Sequence, residues 1–506
     1  MLAKEYKTMK IQVRALLLIL ITFSFYSCTQ NDKQYFDQEI DENIQLDSTI
    51  LGVSIIADSL DIPWEIVWGP DNWIWITEQK GIVSRIDPTT GEKNELLTLK
   101  NVWMKRTSGL LGMIVHPDQN EYPYVFVNYT LERDSQYFSR LERYTYKNDT
   151  LVEPKTIMEI PAGTGHNGSR LAFSGKDKLF WATGDIAKTG NAQDINNLNG
   201  KILRMDFDGN VPADNPIKDS YVWALGFRNI QGLVTGQNNM LYTSEHGDAI
   251  EDEINLILPT RNYGWHNIEG MHDQDFEISF AKLHNTVEPI KSWTPTIAPA
   301  GLDYYSSDKI PEWKNSLLLT TLKGKSFRVL KLSDDGSKIS EEEIYLEDIY
   351  GRIRDLCVSP EGDIYISTSN HDWNPMSDPH VDDDRILRIA KVDKASKVPL
   401  KVKDKTLELE SHNTGEVLYQ KYCLACHKNN GKGLTGTFPS LANSDFVNDE
   451  GSLIPKVLNG FSGDVSMPAF GFLTNEELSK VLNYVRNSFG NKADSLSNED
   501  IQEYRQ

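Results

Sequence analysis

The sequence predicts an all-β propeller of six blades followed by a small all-α domain. Two observations carry this expectation. A strand-and-turn unit recurs six times between residues 52 and 390, and the apolar pattern turns helical beyond residue 410.

Each unit opens with a turn rich in Gly, Asp and Asn. It continues into a short strand that alternates aromatic and β-branched residues: Trp73-Ile-Trp-Ile-Thr77, Tyr124-Val-Phe-Val-Asn128, Leu179-Phe-Trp-Ala-Thr183, Leu241-Tyr-Thr-Ser244, Leu317-Leu-Leu-Thr320 and Ile364-Tyr-Ile-Ser367. A partner strand follows, marked in five units by Arg85, Arg143, Arg204, Arg328 or Arg388 ahead of apolar residues, and in the unit at 241 by Ile254-Asn-Leu256. Units of roughly 50 to 75 residues made almost wholly of strand are the signature of propeller blades, whose loops on one face surround an axial pocket. No helical period is visible in this stretch.

Residues 391–410 are lysine-rich, lack aromatic side chains and read as a linker. In the domain at 411–491, Thr474-Asn-Glu-Glu477 is a capping-box pattern ahead of Leu478, Val481, Leu482 and Val485, which share one helical face; Gly490 is the expected stop. The acidic tail 492–506 is expected to be disordered.

The chain has 506 residues, of which 39% are hydrophobic, enough for a large core in more than one domain. A formal charge of −21 repels phosphate backbones and argues against nucleic acid as a partner. Lys4, Lys7, Lys10 and Arg14 precede an apolar run from Ala15 to Phe25 that is shorter than the roughly 20 residues of a membrane-spanning helix. Residues 1–28 therefore read as an export signal. Ser27 before Cys28 looks like a lipobox, with Phe25 where Leu is usual, so Cys28 is expected to be acylated and 29–51 to form a tether. An ordinary cleaved signal is the alternative. The expectation is an exported protein, held by lipid to a membrane on the periplasmic side of the cell envelope.

Four cysteines, Cys28, Cys357, Cys423 and Cys426, are too few for a disulfide scaffold. Cys357 lies in an apolar run and reads as a buried small hydrophobe. Cys423-Leu-Ala-Cys426-His427 is the C-x-x-C-H pattern of c-type haem attachment. Two cysteines one helical turn apart reach both vinyl groups, and His427 then lies under the iron. This composition produces the pattern by chance in roughly 6 of 10,000 such chains. Zinc would want four ligands, and no second cysteine pair exists. Met467 is the only methionine after His427 and the expected sixth ligand, with His412 the other candidate. The Met467-Pro-Ala-Phe context before a terminal helix resembles small class I cytochromes c, where thioether ligation suits an electron acceptor.

Three propeller segments break the blade pattern with polar loops. Gly163-Thr-Gly-His-Asn-Gly-Ser-Arg170 leaves His166 no apolar face to pack on, so a general base and a structural histidine both stand. Ser244-Glu-His-Gly-Asp-Ala-Ile-Glu-Asp-Glu-Ile-Asn255, after Gly226-Phe-Arg-Asn-Ile-Gln-Gly232, suits either an oxygen-liganded cation such as calcium or a solvated acidic turn. Gly351-Arg-Ile-Arg354, with Lys323, either places cations toward a polyanionic small molecule or forms ordinary blade-surface charge.

With Trp68-Gly-Pro-Asp-Asn72, Gly109-Leu-Leu-Gly112, Gly200-Lys-Ile-Leu-Arg204, Asn262-Tyr-Gly-Trp265 and Pro295-Thr-Ile-Ala-Pro299, these segments resemble, in order, the soluble glucose/sorbosone dehydrogenase family. Its members use pyrroloquinoline quinone (PQQ) and calcium. The resemblance implies that His166 takes the anomeric hydroxyl proton of an aldose. Arg228 and Asn229 would flank the quinone oxygens, with Arg228 offsetting the charge that develops there. Lys323, Arg352, Arg354 and Thr296 would hold the rest of PQQ. Carbonyls of Gly247 and Asp248 would bind calcium at the cofactor, and Glu253 and Tyr263 a structural calcium. Thr107 stands where glucose-oxidising relatives carry Gln, Gly165 where they carry Asp, and Asp248 replaces a Pro.

The resulting expectation is oxidation of an aldose to its lactone by PQQ. Electrons would pass to haem c in the same chain and then to an external acceptor, a cytochrome or respiratory-chain component. A calcium-dependent propeller hydrolase and a PQQ-less sugar-binding module with a cytochrome are the alternatives; a haem domain argues against the first, and the cation set against the second.

Overall fold

The computed structural model describes residues 38–505 apart from 189, 249, 374–383, 401–413, 437 and 462–466. The signal segment, Cys28 and His412 lie outside the described residues.

Strand pairing follows from the repeats. Every predicted strand of the first set is the second strand of an antiparallel blade, and every Arg-bearing strand is the third, as in Trp75 opposite Arg85 and Tyr365 opposite Arg388. These arginines tie turns to strands: Arg85 holds Asp71 at 2.7 Å and Arg388 holds Asp363 at 2.5 Å. The first strands of the blades, Pro63–Trp68, Leu110–Val115, Gly168–Phe173, Ile230–Thr235, Pro299–Tyr305 and Ile353–Val358, contact one another in a closed ring. They line the axis of a six-bladed propeller, and fully buried side chains such as Trp75, Trp181 and Trp313 fill the space between blades.

The sixth blade closes the ring with both ends of the propeller sequence. Ile50–Leu60 pairs with Asp384–Val392, and Glu42–Gln45 adds a fifth strand. Residues 42–51, expected in the tether, thus belong to the sheet. The start of the expected linker is likewise docked: Asn43 Oδ1 accepts the amides of Ser396 (3.0 Å) and Lys397 (2.9 Å), and Asn43 O accepts that of Leu400 at 2.7 Å.

One helix, Asp275–His284, interrupts the fourth blade where no helical period was expected. Glu277 is its only buried residue, and a Gln274/Glu277 capping box fixes its start, so no apolar stripe announces it. Its connection, 258–290, climbs to the loop face and delivers Tyr263, Trp265 and Glu269 there: Tyr263 N donates to Leu225 O and Trp265 N to Gly226 O.

The C-terminal domain is helical. Gly415–Tyr422 packs on Asn475–Arg486, which begins at the expected capping box and buries Leu478, Val481, Leu482 and Val485. The helix ends at Arg486, before Gly490. The tail differs from expectation: Asn498–Glu503 is a helix capped by Ser497 and Asp500, and Ile501 is fully buried in the domain core. One apolar residue among acidic neighbours is too little signal for a periodicity reading, yet it is enough to dock a short helix. Replacing Ile501 with alanine should cost the domain about 2–5 kcal/mol, the range for a buried large-to-small change. Denaturant unfolding followed by haem absorbance checks this; a loss below about 0.5 kcal/mol would detach the tail from the domain.

Candidate active site

In an antiparallel blade whose first strand starts at one face, the connection into that strand and the one joining strands two and three share that face. Thr107, His166, Arg228, Asn229, Thr296 and Arg352 fall in the first class of loop. Asp185, Gly247, Asp248, Lys323 and Asp372 fall in the second. Every candidate residue of the propeller except Glu253, Tyr263 and Arg354 is therefore on a loop at one end of the axis, and Arg354 is the second residue of its inner strand.

His166 has a left-handed backbone (φ 52°) and is partly buried. Its Nδ1 lies 2.9 Å from Asp185 Oδ1, and Asp185 Oδ2 accepts Trp265 Nε1–H at 2.7 Å. A carboxylate on Nδ1 selects the tautomer whose Nε2 carries a lone pair. Burial, then the Arg228 charge, pushes His166 below its usual value, against the opposing pull of Asp185. Burial alone would raise Asp185, but its bond to His166 and the charges of His166 and Arg228 hold it low. The pair is thus an ionised carboxylate orienting a neutral imidazole, the state a general base needs. Thr107 Oγ1 donates to Thr164 O at 3.3 Å, and a Cβ at Gly165 would meet only Thr107 Oγ1, at 3.5 Å. The space beside His166 is therefore open.

Cations converge around this base. Arg228 donates to Asp248 Oδ1 at 2.8 Å and lies over the Trp265 ring at 5.3 Å. Lys323 Nζ donates to Thr296 Oγ1 at 2.8 Å, and burial lowers its ammonium. Arg352 (3.6 Å) and Arg354 share Asp372, and burial lowers both guanidiniums. Among the described residues, the buried Nε atoms of Arg228, Arg352 and Arg354, and Nε2 of His246, have no partner. His246 is held neutral, down to about 3, first by burial and then by Arg228, Arg354 and His166. Orphaned buried donors beside a surplus of cations fit a planar, multiply carboxylated ligand such as PQQ.

The acidic loop divides into two parts. Gly247 N donates to Asp252 Oδ1 at 2.8 Å, and Asp252 Oδ2 accepts the amides of Ile297 and Ala298, locking the Gly247 loop to the Thr296 loop. A Cβ on Gly247 would lie 1.9 Å from Ile250 O, so the turn admits only glycine. Below it, Glu245, Glu253 and Glu269 line one small cavity with Tyr263. Burial raises all three, Glu253 to about 7 and Glu269 to about 8. Three desolvated carboxyl groups fit a buried divalent cation that would restore their charge. Tyr263 could contribute only through its main chain, because its hydroxyl is spent on Leu256 O (2.7 Å) and Leu258 N (2.8 Å). Among the described residues no three His, Cys, Asp or Glu side chains form a ready metal cluster; carbonyls would complete any shell.

In the helical domain Cys423 caps the short helix Leu424–His427, and Cys426 lies within that helix, one turn further on. His427 is buried, and its Nδ1 lies 3.0 Å from Pro439 O, which leaves Nε2 for an iron. Met467 packs on the same core as Cys423 and Leu424, and its main chain pairs with Phe461.

Asp185, Trp265, Asp372, His246, Glu245 and Glu269 were missed by sequence reasoning. The first four carry a positional signal: Asp185, His246 and Asp372 directly follow the second strands of their blades, as Lys323 does, and Trp265 ends the Asn262-Tyr-Gly-Trp motif. The two glutamates look like any acidic residue until their burial is known.

Comparison with known proteins places this architecture. The glucose/sorbosone dehydrogenase family model matches residues 60–375, more than half of the chain, and the model for cytochrome c oxidase, cbb3-type, subunit III matches 410–485. Aldose sugar dehydrogenase YliI of Escherichia coli is 33% identical over 335 residues, covering 63% of this chain and 90% of that protein. The PQQ-bound aldose sugar dehydrogenase of Streptomyces coelicolor superposes with a TM-score of 0.59 at 30% identity, covering 68% of this chain and 98% of that one. The cytochrome c subunit of a quinone alcohol dehydrogenase from Gluconobacter oxydans is 33% identical over 106 residues, 18% of this chain and 22% of that protein. The chain belongs to the glucose/sorbosone dehydrogenase family and carries a cytochrome c domain at its C-terminal end.

Proposed function

We propose that this protein oxidises an aldose to its lactone with PQQ and calcium, and passes the electrons to haem c on Cys423 and Cys426. The observation that carries the reading is the His166–Asp185 pair, set at 2.9 Å on the same loop face as Arg228, Lys323 and Arg352, with Arg354 one residue into its inner strand. A general base beside a polyanion cradle is what hydride removal to a carboxylated quinone asks of a protein. When bound, PQQ would supply the hydride acceptor, polarised by calcium at the Gly247 and Asp248 carbonyls.

The chain's own residues do the rest. Nε2 of His166 takes the proton of the anomeric hydroxyl, and loss of that proton with the C1 hydride leaves the lactone. Asp185 accepts the Nδ1–H throughout and stabilises the imidazolium once it forms. Arg228, fixed by Asp248 and Trp265, presents positive charge where negative charge develops. Asn229, Thr296, Lys323, Arg352 and Arg354 orient the ligand, and Glu253 with the Tyr263 main chain would hold a structural calcium. His427 and Met467 would ligate the haem iron. With Thr107 and Gly165 beside the base, two hydrogen-bonding groups of glucose-selective relatives are replaced, which favours a larger or less hydroxylated aldose. Export and lipid anchoring at Cys28 are part of this proposal, supported by the signal-like N-terminus and by a motif that is loaded with haem outside the cytoplasm.

The test is reconstitution of the purified chain with PQQ and calcium, followed by a screen of aldoses, disaccharides included, with an artificial dye as acceptor. His166→Ala should bind PQQ nearly as tightly as the parent and lose about 10²- to 10⁴-fold in turnover. Near-parental turnover in saturating sugar would remove His166 from the mechanism.

The pH dependence follows from the same geometry. His166 lies below its ordinary pKa, so the base form persists and the acid limb of kcat/KM should fall below pH 6.5. In Asp185→Asn the carboxylate that raises His166 is gone, which moves the limb still lower, and the tautomer is no longer enforced, which should cost about 10²-fold or more in kcat. A limb that moves upward, or an unchanged kcat, would contradict this role for Asp185.

A further inference from the structure

Gln231, within the Gly226-Phe-Arg-Asn-Ile-Gln-Gly232 motif, has no role in the account so far, yet it bonds to residues at both ends of the cofactor cradle. It is the second residue of the inner strand Ile230–Thr235 and is buried. Its Oε1 accepts Arg354 NH1 at 3.3 Å, and its Nε2 donates to Asn229 Oδ1 at 3.1 Å. The amide has one polarity only, because a guanidinium offers no acceptor and must meet the oxygen. Asn229 Oδ1 also accepts Gly168 N at 3.3 Å, so its carbonyl end is saturated and its Nδ2 is the group left to face a ligand.

The main chain of Gln231 is equally fixed. Its carbonyl accepts Arg170 Nε at 2.5 Å, and Arg170 is bound in turn by Glu65 Oε1 at 2.7 Å and Asp355 Oδ1 at 2.9 Å. Glu65, Arg170, Gln231 and Asp355 lie on the inner strands of four different blades, so this network crosses the propeller axis beneath the loops. The Trp64 ring lies under Arg170 (4.4 Å) and Arg354 (5.6 Å) and closes the network from below.

We propose that Gln231 is a positioning residue that couples Arg354 to Asn229, so that the carboxylate-holding end and the quinone-flanking end of the cradle keep one mutual geometry. This rests on the quinoprotein reading above. Without Gln231, Arg354 NH1 and Asn229 Oδ1 each lose a buried partner, which leaves Arg354 to Asp372 and Asn229 to Gly168 with nothing joining the two.

The test is a double-mutant cycle on PQQ affinity, measured by titrating the full-length, haem-loaded apo-quinoprotein with PQQ at fixed calcium. Gln231→Met, close in volume, should weaken binding about 10-fold or more, the scale of a buried charged group left unpaired. In the Arg354→Lys or Asn229→Ala background the same change should cost less than about 3-fold, because its partner is already gone. Gln231→Glu keeps the acceptor toward Arg354, loses the donor and adds a negative charge, so only the part of its loss that comes from the donor should disappear in Asn229→Ala. It also guards against a Gln231→Met protein that does not fold, as judged by cooperative thermal unfolding. Equal losses in every background, or parental affinity in both variants, would overturn the proposal while leaving the quinoprotein reading intact. A parent chain that binds no PQQ would overturn both.

Discussion

The alternation of strand direction within each blade is the constraint on which the rest depends. Because the six inner strands close a ring and start at one face, twelve connections return to that face around a single axis. Residues as distant in sequence as Thr107 and Arg352 then share one face without any segment running through the core. Closure is completed by Ile50–Leu60 against Asp384–Val392, and the same blade binds the first part of the linker through Asn43. The sheet that seals the propeller therefore also fixes where the tether to the cytochrome domain begins.

Charge placement follows from this convergence. Arg170, Arg352, Arg354 and Lys323 are drawn toward the axis and lose water, a cost of several kcal/mol per ion unless partners offset it. Asp355 and Asp372 offset part of it on the guanidiniums, whereas burial raises Glu65 to about 8 despite Arg170. Enough orphaned donors remain for a carboxylated ligand to complete the balance. The neighbouring cavity gathers the opposite kind of group, the carboxyls of Glu245, Glu253 and Glu269, with Arg228 also on its lining.

Much of this was legible in residue order. The Trp73, Tyr124, Leu179, Leu241, Leu317 and Ile364 strands were found because aromatic and β-branched alternation survives in strands buried on both faces. Cys423, Cys426 and His427 were found because covalent chemistry fixes their spacing. The Asp275–His284 helix and the tail helix were not, since each is held by a cap and one buried side chain rather than by a repeated pattern; the 42–51 segment was not because its buried Ile44, Leu46 and Leu51 follow no alternation. Asp185 was missed for a different reason: its importance lies in a 2.9 Å contact with a residue 19 positions away, which no local pattern records.

With residues 391–400 docked on the propeller, the connection to the cytochrome domain is shorter than the full lysine-rich stretch, and a short tether keeps the effective concentration of the haem near millimolar. The most direct measurement is stopped-flow absorbance of the haem after the PQQ- and calcium-loaded chain is mixed with an aldose that it oxidises. The account predicts haem reduction at a rate independent of protein concentration and at least as fast as turnover. A haem that stays oxidised while a dye is reduced by the same sugar would contradict it.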